Sequence, residues 1–448
     1  MNITQLTLEQ TPPLSVPFRF FLTAPLFGIL AALLLLGSGP TIFSSRWSLE
    51  VITLTHLLTL GFISMVIFGA FLQFLPVLVG SPVPYPRLVS TLLHLLLTIG
   101  SLSLTSGFMM TQVVLIEMAL VLLGLSFIGF MSIIGYSLIR TKSNAATVTA
   151  MRLAWLALAI TVVLGLILGT GFGYGYNLSS LAKLTNLHLG WGLLGWVGLL
   201  IIGVAYQVVP MFQITPPYPA MVKRWLTPLI FLTLLTWSGF YWLFNLNNFS
   251  WILFGLMDLI GIEFSLFALV TLQLQSWRLR KLPDVTLDYW RIGMIGLLLS
   301  FILGLAGLIW SDLSDTPIYQ LQLGILFIAG FILPVIQGML YKIVPFLIWL
   351  HWQNQQLNIL TPVRLVKIPH MKQIIPDRWA RYQLWVYFIS LILLIIVALY
   401  PSKLIYGVSM SFMLAFALLT YNLYRSLWLY WSVSQQLIAK SMMENPIS

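Results

Sequence analysis

Twelve apolar runs, each about as long as a bilayer is thick, divide this chain of 448 residues. A helix that crosses the hydrocarbon core needs roughly 20 mostly apolar residues. Because lipid cannot hydrogen-bond the backbone, such runs must form helices. The runs lie near residues 18–37, 51–79, 87–107, 112–139, 152–173, 184–212, 225–244, 250–274, 289–310, 319–347, 382–400 and 404–431. We therefore predict an all-α, polytopic membrane protein with twelve transmembrane helices.

The composition excludes a soluble protein and several kinds of metal site. Only 7% of the residues are charged and 59% are hydrophobic, whereas a soluble domain has about 25% charged residues. The chain has no cysteine, which excludes disulfides, thiolate iron–sulfur sites and dinuclear copper sites. Residues 1–16 are polar and no small-residue cleavage site follows the first run, so we expect no removable signal peptide.

The positive charges lie mostly between the runs and predict an orientation. With twelve runs, both termini lie on one side, and nineteen of the 22 Lys and Arg residues fall on that side. We call this side the charge-rich end and the other the charge-poor end. The charge-poor end has only Arg46, Lys183 and Lys403. Because cytoplasmic loops are enriched in Lys and Arg, we expect both termini to be cytoplasmic. The net charge of +11 thus indicates contact with the lipid bilayer, and we expect no nucleic acid partner.

A three-fold internal repeat divides the membrane domain, which we predict to be one domain over residues 1–448. The second, sixth and tenth runs share a pattern of Gly, aromatic residue, six residues, Gly, six residues, Pro. It reads Gly61-Phe62, Gly69 and Pro76, then Gly195-Trp196, Gly203 and Pro210, then Gly330-Phe331, Gly338 and Pro345. The pattern predicts three pseudo-symmetric arcs of four helices, at about 17–140, 150–275 and 289–431. Such glycines favour close helix packing, and whether they also leave room for a flat cofactor stays open at this point.

Three histidines lie at membrane depth and are candidate ligands. His56 and His188 lie about six and five residues into the second and sixth runs, which both begin at the charge-poor end. His56 lies twenty residues before Pro76, and His188 lies twenty-two residues before Pro210. The difference of two residues corresponds to about 200° around a helix. We therefore expect them to face different crevices. His94 lies at the opposite depth. Neutral imidazole is a common ligand of haem iron and copper, and a packed, hydrogen-bonded histidine is the alternative for each.

Three acidic residues also lie within the runs. Glu117 is in the fourth run, and Asp258 and Glu263 are in the eighth. An ionisable group inside a membrane span is costly and is therefore a functional candidate. These residues could belong to a proton or ion path, or each could be a protonated carboxyl group that is hydrogen-bonded within the bundle.

Twelve runs in three arcs, with histidines near the charge-poor ends of the second and sixth runs, resemble subunit I of the haem–copper oxidases. The closest likeness is to the small oxidase-like membrane proteins that include the NnrS family. The segments that carry it are Pro17-Phe18-Arg19-Phe20-Phe21-Leu22, the stretch from His56 through Gly80-Ser81-Pro82, and the stretch from His188 to Val209-Pro210. The resemblance extends over essentially all twelve runs, and these three segments make up about an eighth of the chain. The resemblance implies a bacterial-type cytoplasmic membrane and contacts with other respiratory or metal-handling membrane proteins.

The resemblance also implies ligands, with clear departures from the oxidase pattern. In oxidases the histidine of the second span is an axial ligand of a low-spin haem, which implies this role for His56. The histidine of the sixth span is a copper ligand, which implies that role for His188. Residues 225–244 and 319–347 lack the other histidines that oxidases need. Oxygen reduction is therefore not expected, and Gln320, Gln322, Met339 or another histidine would have to replace the second axial ligand.

Three functional hypotheses follow, and the sequence alone leaves open whether the protein is an enzyme. The first is a haem-binding protein, with haem b as cofactor and copper as a second candidate, that acts in nitric-oxide or metal stress, haem handling or electron transfer. The second is a permease or channel for a small molecule, ion or metal, in which the crevices between the arcs carry the substrate. The third is an assembly partner without a site of its own.

Overall fold

The computed structural model describes residues 12–79, 83–174, 178–243, 246–357 and 368–444. These residues form helices and connecting segments without strands. Twelve of the described helices are long and apolar enough to cross a membrane, which confirms the predicted number. Numbered helix 1 to helix 12, they are Ser15–Ser44, Leu49–Phe74, Pro86–Met110, Val113–Arg140, Ala146–Phe172, Leu181–Gln213, Ala220–Leu243, Trp251–Ser276, Val285–Ile309, Pro317–Gln356, Asp377–Leu399 and Leu404–Leu437.

Side chains at the helix starts explain several of these boundaries. The Ser48 hydroxyl accepts a hydrogen bond from the backbone N–H of Val51 at the start of helix 2. The Asp284 carboxylate caps helix 9 in the same way, and the Thr316 hydroxyl caps helix 10. Each cap satisfies a backbone donor that the helix itself leaves unpaired.

The contacts between helices occur in a pattern that repeats every four helices. Helices 1, 5 and 9 pack along helices 2, 6 and 10, and helices 3, 7 and 11 pack on the helices that follow them. Helix 4 packs on helix 5 and helix 8 on helix 9, while helix 12 packs on helix 1. Helices 1–4, 5–8 and 9–12, the units predicted from the repeat, thus make corresponding contacts and form a closed ring.

The repeat glycines lie where the first and second helices of a unit approach each other closely. A Cβ atom on Gly61 would overlap the side chain of Phe27, and one on Gly203 would overlap Ala150. A Cβ atom on Gly338 would lie 2.7 Å from the Cβ of Tyr289. Small residues allow this approach in lipid, where van der Waals packing holds helices together. At these positions the glycines therefore serve packing and leave no space for a cofactor.

A second feature of the repeat is a π-helical segment in each of helices 2, 6 and 10. These segments are Leu57–Ser64, Gly190–Gly198 and Ile325–Ile332. Each one contains the glycine–aromatic pair of the repeat. A π-helical turn is wider than an α-helical turn, so it rotates the residues before it relative to those after it, and such turns are frequent at functional sites. The repeat is thus also a repeat of backbone geometry.

Candidate functional site

His56 and His188 lie opposite each other and line the same cavity. Their ring centroids are 6.5 Å apart, and their ring planes differ by 21°. The expectation that they face different crevices is therefore wrong. A π-helical segment lies between each histidine and its repeat proline, so an α-helical count of residues back from the proline does not give the direction of the ring. We call these two residues the histidine pair.

Backbone carbonyl groups fix the protonation of both rings. Nδ1 of His56 is 2.8 Å from the carbonyl oxygen of Ile52, one turn earlier in helix 2. Nδ1 of His188 is 3.0 Å from the carbonyl oxygen of Thr161 in helix 5. Because a carbonyl oxygen only accepts hydrogen bonds, Nδ1 carries the proton, and in the neutral ring Nε2 therefore has the lone pair. This is the arrangement of metal-ligating histidines, whose other nitrogen usually donates to a carbonyl or carboxylate group.

The histidine pair lies at the start of two π-helical segments. His56 directly precedes Leu57–Ser64, and His188 lies two residues before Gly190–Gly198. Within the first segment, the Ser64 hydroxyl donates to the carbonyl oxygen of Thr59 at 2.6 Å. The wider turns alter the direction in which the part of each helix at the charge-poor end presents its side chains. The third unit has the same backbone segment, but the described part of helix 10 has no histidine beside it.

The cavity beside the histidine pair is large and mostly apolar. Its volume is about 1350 Å³, whereas pockets for small ligands usually measure roughly 300–1,000 Å³. Near His56 the wall includes Phe108 of helix 3, whose ring centroid is 5.7 Å from that of His56. The cavity extends to helices 8 to 12, where Leu394 and Phe412 contribute to the wall. This space has room for a flat apolar ligand larger than a typical metabolite.

The spacing of the pair fits two axial ligands of one haem iron. A metal–imidazole bond is about 2 Å long, and a ring centroid lies roughly 1.2 Å behind its ligating nitrogen. Two such ligands on opposite sides of one iron therefore have centroids roughly 6.4 Å apart. The observed separation is 6.5 Å. The donor set, the fixed tautomers and the apolar cavity are thus compatible with haem.

The geometry is less compatible with a copper site of the oxidase kind. That site needs three histidines, and the part of the chain that the structure describes contains no group of three or more His, Asp or Glu residues that could hold a metal ion. His188, which the resemblance implies to be a copper ligand, instead faces His56.

His94 does not join the histidine pair. Its Nε2 atom is 2.9 Å from the hydroxyl oxygen of Thr23, and its ring meets the edge of Phe20 at a centroid distance of 5.3 Å. It does not contribute to the cavity wall among the described residues. His94 therefore has the packed, hydrogen-bonded setting that was the alternative to a ligand role.

The three acidic candidates lie in three different environments. Asp258 lines the cavity. Glu263 is only 7% exposed and accepts a hydrogen bond from Thr233 at 3.1 Å, while its Oε2 atom has no partner among the described residues. Glu117 lies on the exposed side of helix 4. The structure thus brings only Asp258 to the cavity that contains the histidine pair.

The candidates of helix 10 for a second axial ligand have other partners. Gln322 donates to the carbonyl oxygen of Ile395 at 2.7 Å, and Gln320 donates to that of Ser314 at 3.2 Å. Met339 packs against the apolar core. Among the residues described, His188 is therefore the group that best complements His56.

Sequence reasoning missed one residue of this cavity, Arg46, which lies in the connection between helices 1 and 2. From the sequence alone, Arg46 is predicted only to contribute to the topology signal. The sequence signal that distinguishes Arg46 is its position at the charge-poor end, where cations are rare.

No protein-family model and no curated protein matches this chain. The likeness to oxidase subunits therefore stays a prediction.

Proposed function

We propose that this chain is an integral membrane protein that binds haem b, with His56 and His188 as the two axial ligands. The observation that carries the proposal is the separation of 6.5 Å between the two imidazole rings. The carbonyl groups of Ile52 and Thr161 support it, because they leave both Nε2 atoms free to ligate.

Two axial histidines favour electron transfer or haem handling over oxygen reduction. Haem held by His56 and His188 would supply one-electron chemistry, and the two imidazoles would leave no open position for oxygen. The chain's own contribution is to orient the imidazoles, to hold the proton on each Nδ1 atom and to keep the ligand in apolar surroundings. If the function is electron transfer, the protein would need a redox partner.

The distribution of Lys and Arg supports an orientation for the site. With cytoplasmic termini, the histidine pair lies near the outer ends of helices 2 and 6. An alkaline phosphatase fusion within the connection after helix 1 should then be active, and one at the carboxyl terminus should not.

The test is the cofactor content of the purified full-length protein. We expect one haem b per chain in the pyridine-haemochrome spectrum, and a low-spin signal with two axial imidazoles in electron paramagnetic resonance. Metal analysis of the same sample should give iron without stoichiometric copper. A well-folded preparation from haem-replete cells that holds no haem would contradict the proposal.

The second candidate is a permease or channel. It is favoured by the cavity itself and by Asp258 on its wall. The same preparation separates the two candidates, because a folded protein without haem or other metal would leave the cavity as a space for a transported molecule.

Gly165 gives a further prediction about the histidine pair. A Cβ atom at this position of helix 5 would lie 2.9 Å from Cε1 of His188. Gly165→Ala should therefore displace the His188 ring and lower haem affinity by about tenfold, as changes next to a metal ligand commonly do. Affinity and the low-spin fraction can be measured by optical titration.

Gly124→Ala is the matched control, because its Cβ atom would meet only Leu166 at an ordinary contact distance of 3.8 Å. Both glycines line the cavity. Equal effects of the two substitutions would argue against a specific role for the His188 ring.

A further inference from the structure

Arg46 is a cation on the wall of the same cavity. It lies between helices 1 and 2, and it is the one Lys or Arg among the described residues of the cavity wall. The guanidinium group lies over the ring of Trp47, with its central carbon 4.3 Å from the ring centroid. The Nε atom is buried and has no hydrogen-bond partner among the described residues.

The surroundings of Arg46 connect it to the end of helix 6 that carries His188. Burial lowers the pKa of the Arg46 guanidinium group, and the nearby Tyr241 has the smaller, opposite effect. The hydroxyl group of Tyr241 accepts a hydrogen bond of 2.8 Å from Asn186. Asn186 lies two residues before His188 and also lines the cavity. Arginine stays protonated in proteins, so a positive charge faces the cavity at this end.

This charge lacks an anionic partner among the described residues. The ion pairs found there join Lys342 to Asp284, Lys372 to Asp377 and Arg381 to Asp288. A partly buried guanidinium group is costly unless it is paired and hydrogen-bonded. Its planar arrangement of donors fits a carboxylate with two parallel hydrogen bonds. The cavity therefore combines apolar walls with one site for an anion at the charge-poor end.

We propose that Arg46 binds a carboxylate group of the molecule in the cavity, which for haem b is a propionate. This inference rests on the proposed function, since it assigns the orientation of the same ligand. His56 and His188 would hold the iron, and Arg46 would hold the carboxylate end of the same ligand at the connection between helices 1 and 2.

The test compares protohaem with its dimethyl ester, in which both propionate charges are removed. Each is titrated into full-length protein purified from haem-starved cells, for the wild type and for Arg46→Gln. We expect the wild type to bind protohaem at least about tenfold more tightly than the ester, a difference of about 1.4 kcal/mol. In Arg46→Gln this preference should fall to near unity, mainly through weaker binding of protohaem.

Lys183→Gln is the matched control, because Lys183 is also at the charge-poor end but does not line the cavity. It should keep the preference of the wild type. Equal affinity of the wild type for the two ligands, or an unchanged preference in Arg46→Gln, overturns the role of Arg46 while haem binding stands. If the wild type binds neither ligand, the proposed function fails and this inference fails with it. If Arg46→Gln does not fold, Arg46→Lys takes its place and must retain a preference for protohaem. Equal affinity of the wild type for protohaem and the ester would then still overturn the role of Arg46.

Discussion

Alanine in place of either His56 or His188 is expected to abolish six-coordinate haem, and added imidazole is expected to restore it. Loss of a group that only orients a metal ligand typically costs roughly 10–100-fold in affinity. Loss of the ligand itself should therefore cost at least about a hundredfold. Each substitution also leaves a space of the size and polarity of one imidazole. Free imidazole can fill this space and supply the missing nitrogen to the iron.

The measurement is the optical and electron paramagnetic resonance spectrum of each purified variant, with and without millimolar imidazole. His56→Ala and His188→Ala should show high-spin or absent haem that becomes low-spin when imidazole is added. The double variant should hold no haem. His94→Ala is the control and should keep the wild-type spectrum, because His94 contacts Thr23 and Phe20 away from the pair. A spectrum that responds to only one of the two alanine substitutions would contradict paired ligation.

The helices could be predicted from the sequence because the bilayer imposes a simple requirement on each one. A span must be long, apolar and internally hydrogen-bonded, and these properties are local to each run. The start of helix 2 at Leu49 and the start of helix 12 at Leu404 accordingly lie within a few residues of the predicted positions. The packing of the repeat glycines could also be anticipated, because small residues at a fixed spacing allow close approach.

The relation between His56 and His188 could not be predicted in the same way. Their depths follow from the sequence, but their directions depend on which sides of helices 2 and 6 face each other. The π-helical segments that follow both histidines add a rotation that hydropathy does not reveal. Arg46 was missed for a related reason. A cation in a short connection is ordinarily a topology signal, and only the folded chain places this one on a cavity wall.

Gly296→Ala is expected to destabilise the bundle strongly, although alanine is the better helix former. A Cβ atom on Gly296 of helix 9 would lie 2.9 Å from the Cα of Gly330 in helix 10 and closer still to its carbonyl group. These are backbone atoms of a repeat glycine within a π-helical segment, so they cannot move aside as a side chain would. Overpacking usually costs about 1–3 kcal/mol, and we expect a value at or above the upper end.

Gly304→Ala in the same helix is the control and should change stability in the opposite direction. No atom lies within 4 Å of the position that its Cβ would take, and alanine is favoured over glycine within a helix by about 1 kcal/mol. The measurement is the free energy of unfolding in mixed micelles, or the temperature at which half of the solubilised protein stays monodisperse. If both substitutions shift stability in the same direction, helix propensity rather than the contact between helices 9 and 10 governs the effect. Opposite signs would show that helices 9 and 10 approach each other too closely at Gly296 and Gly330 to admit a Cβ atom.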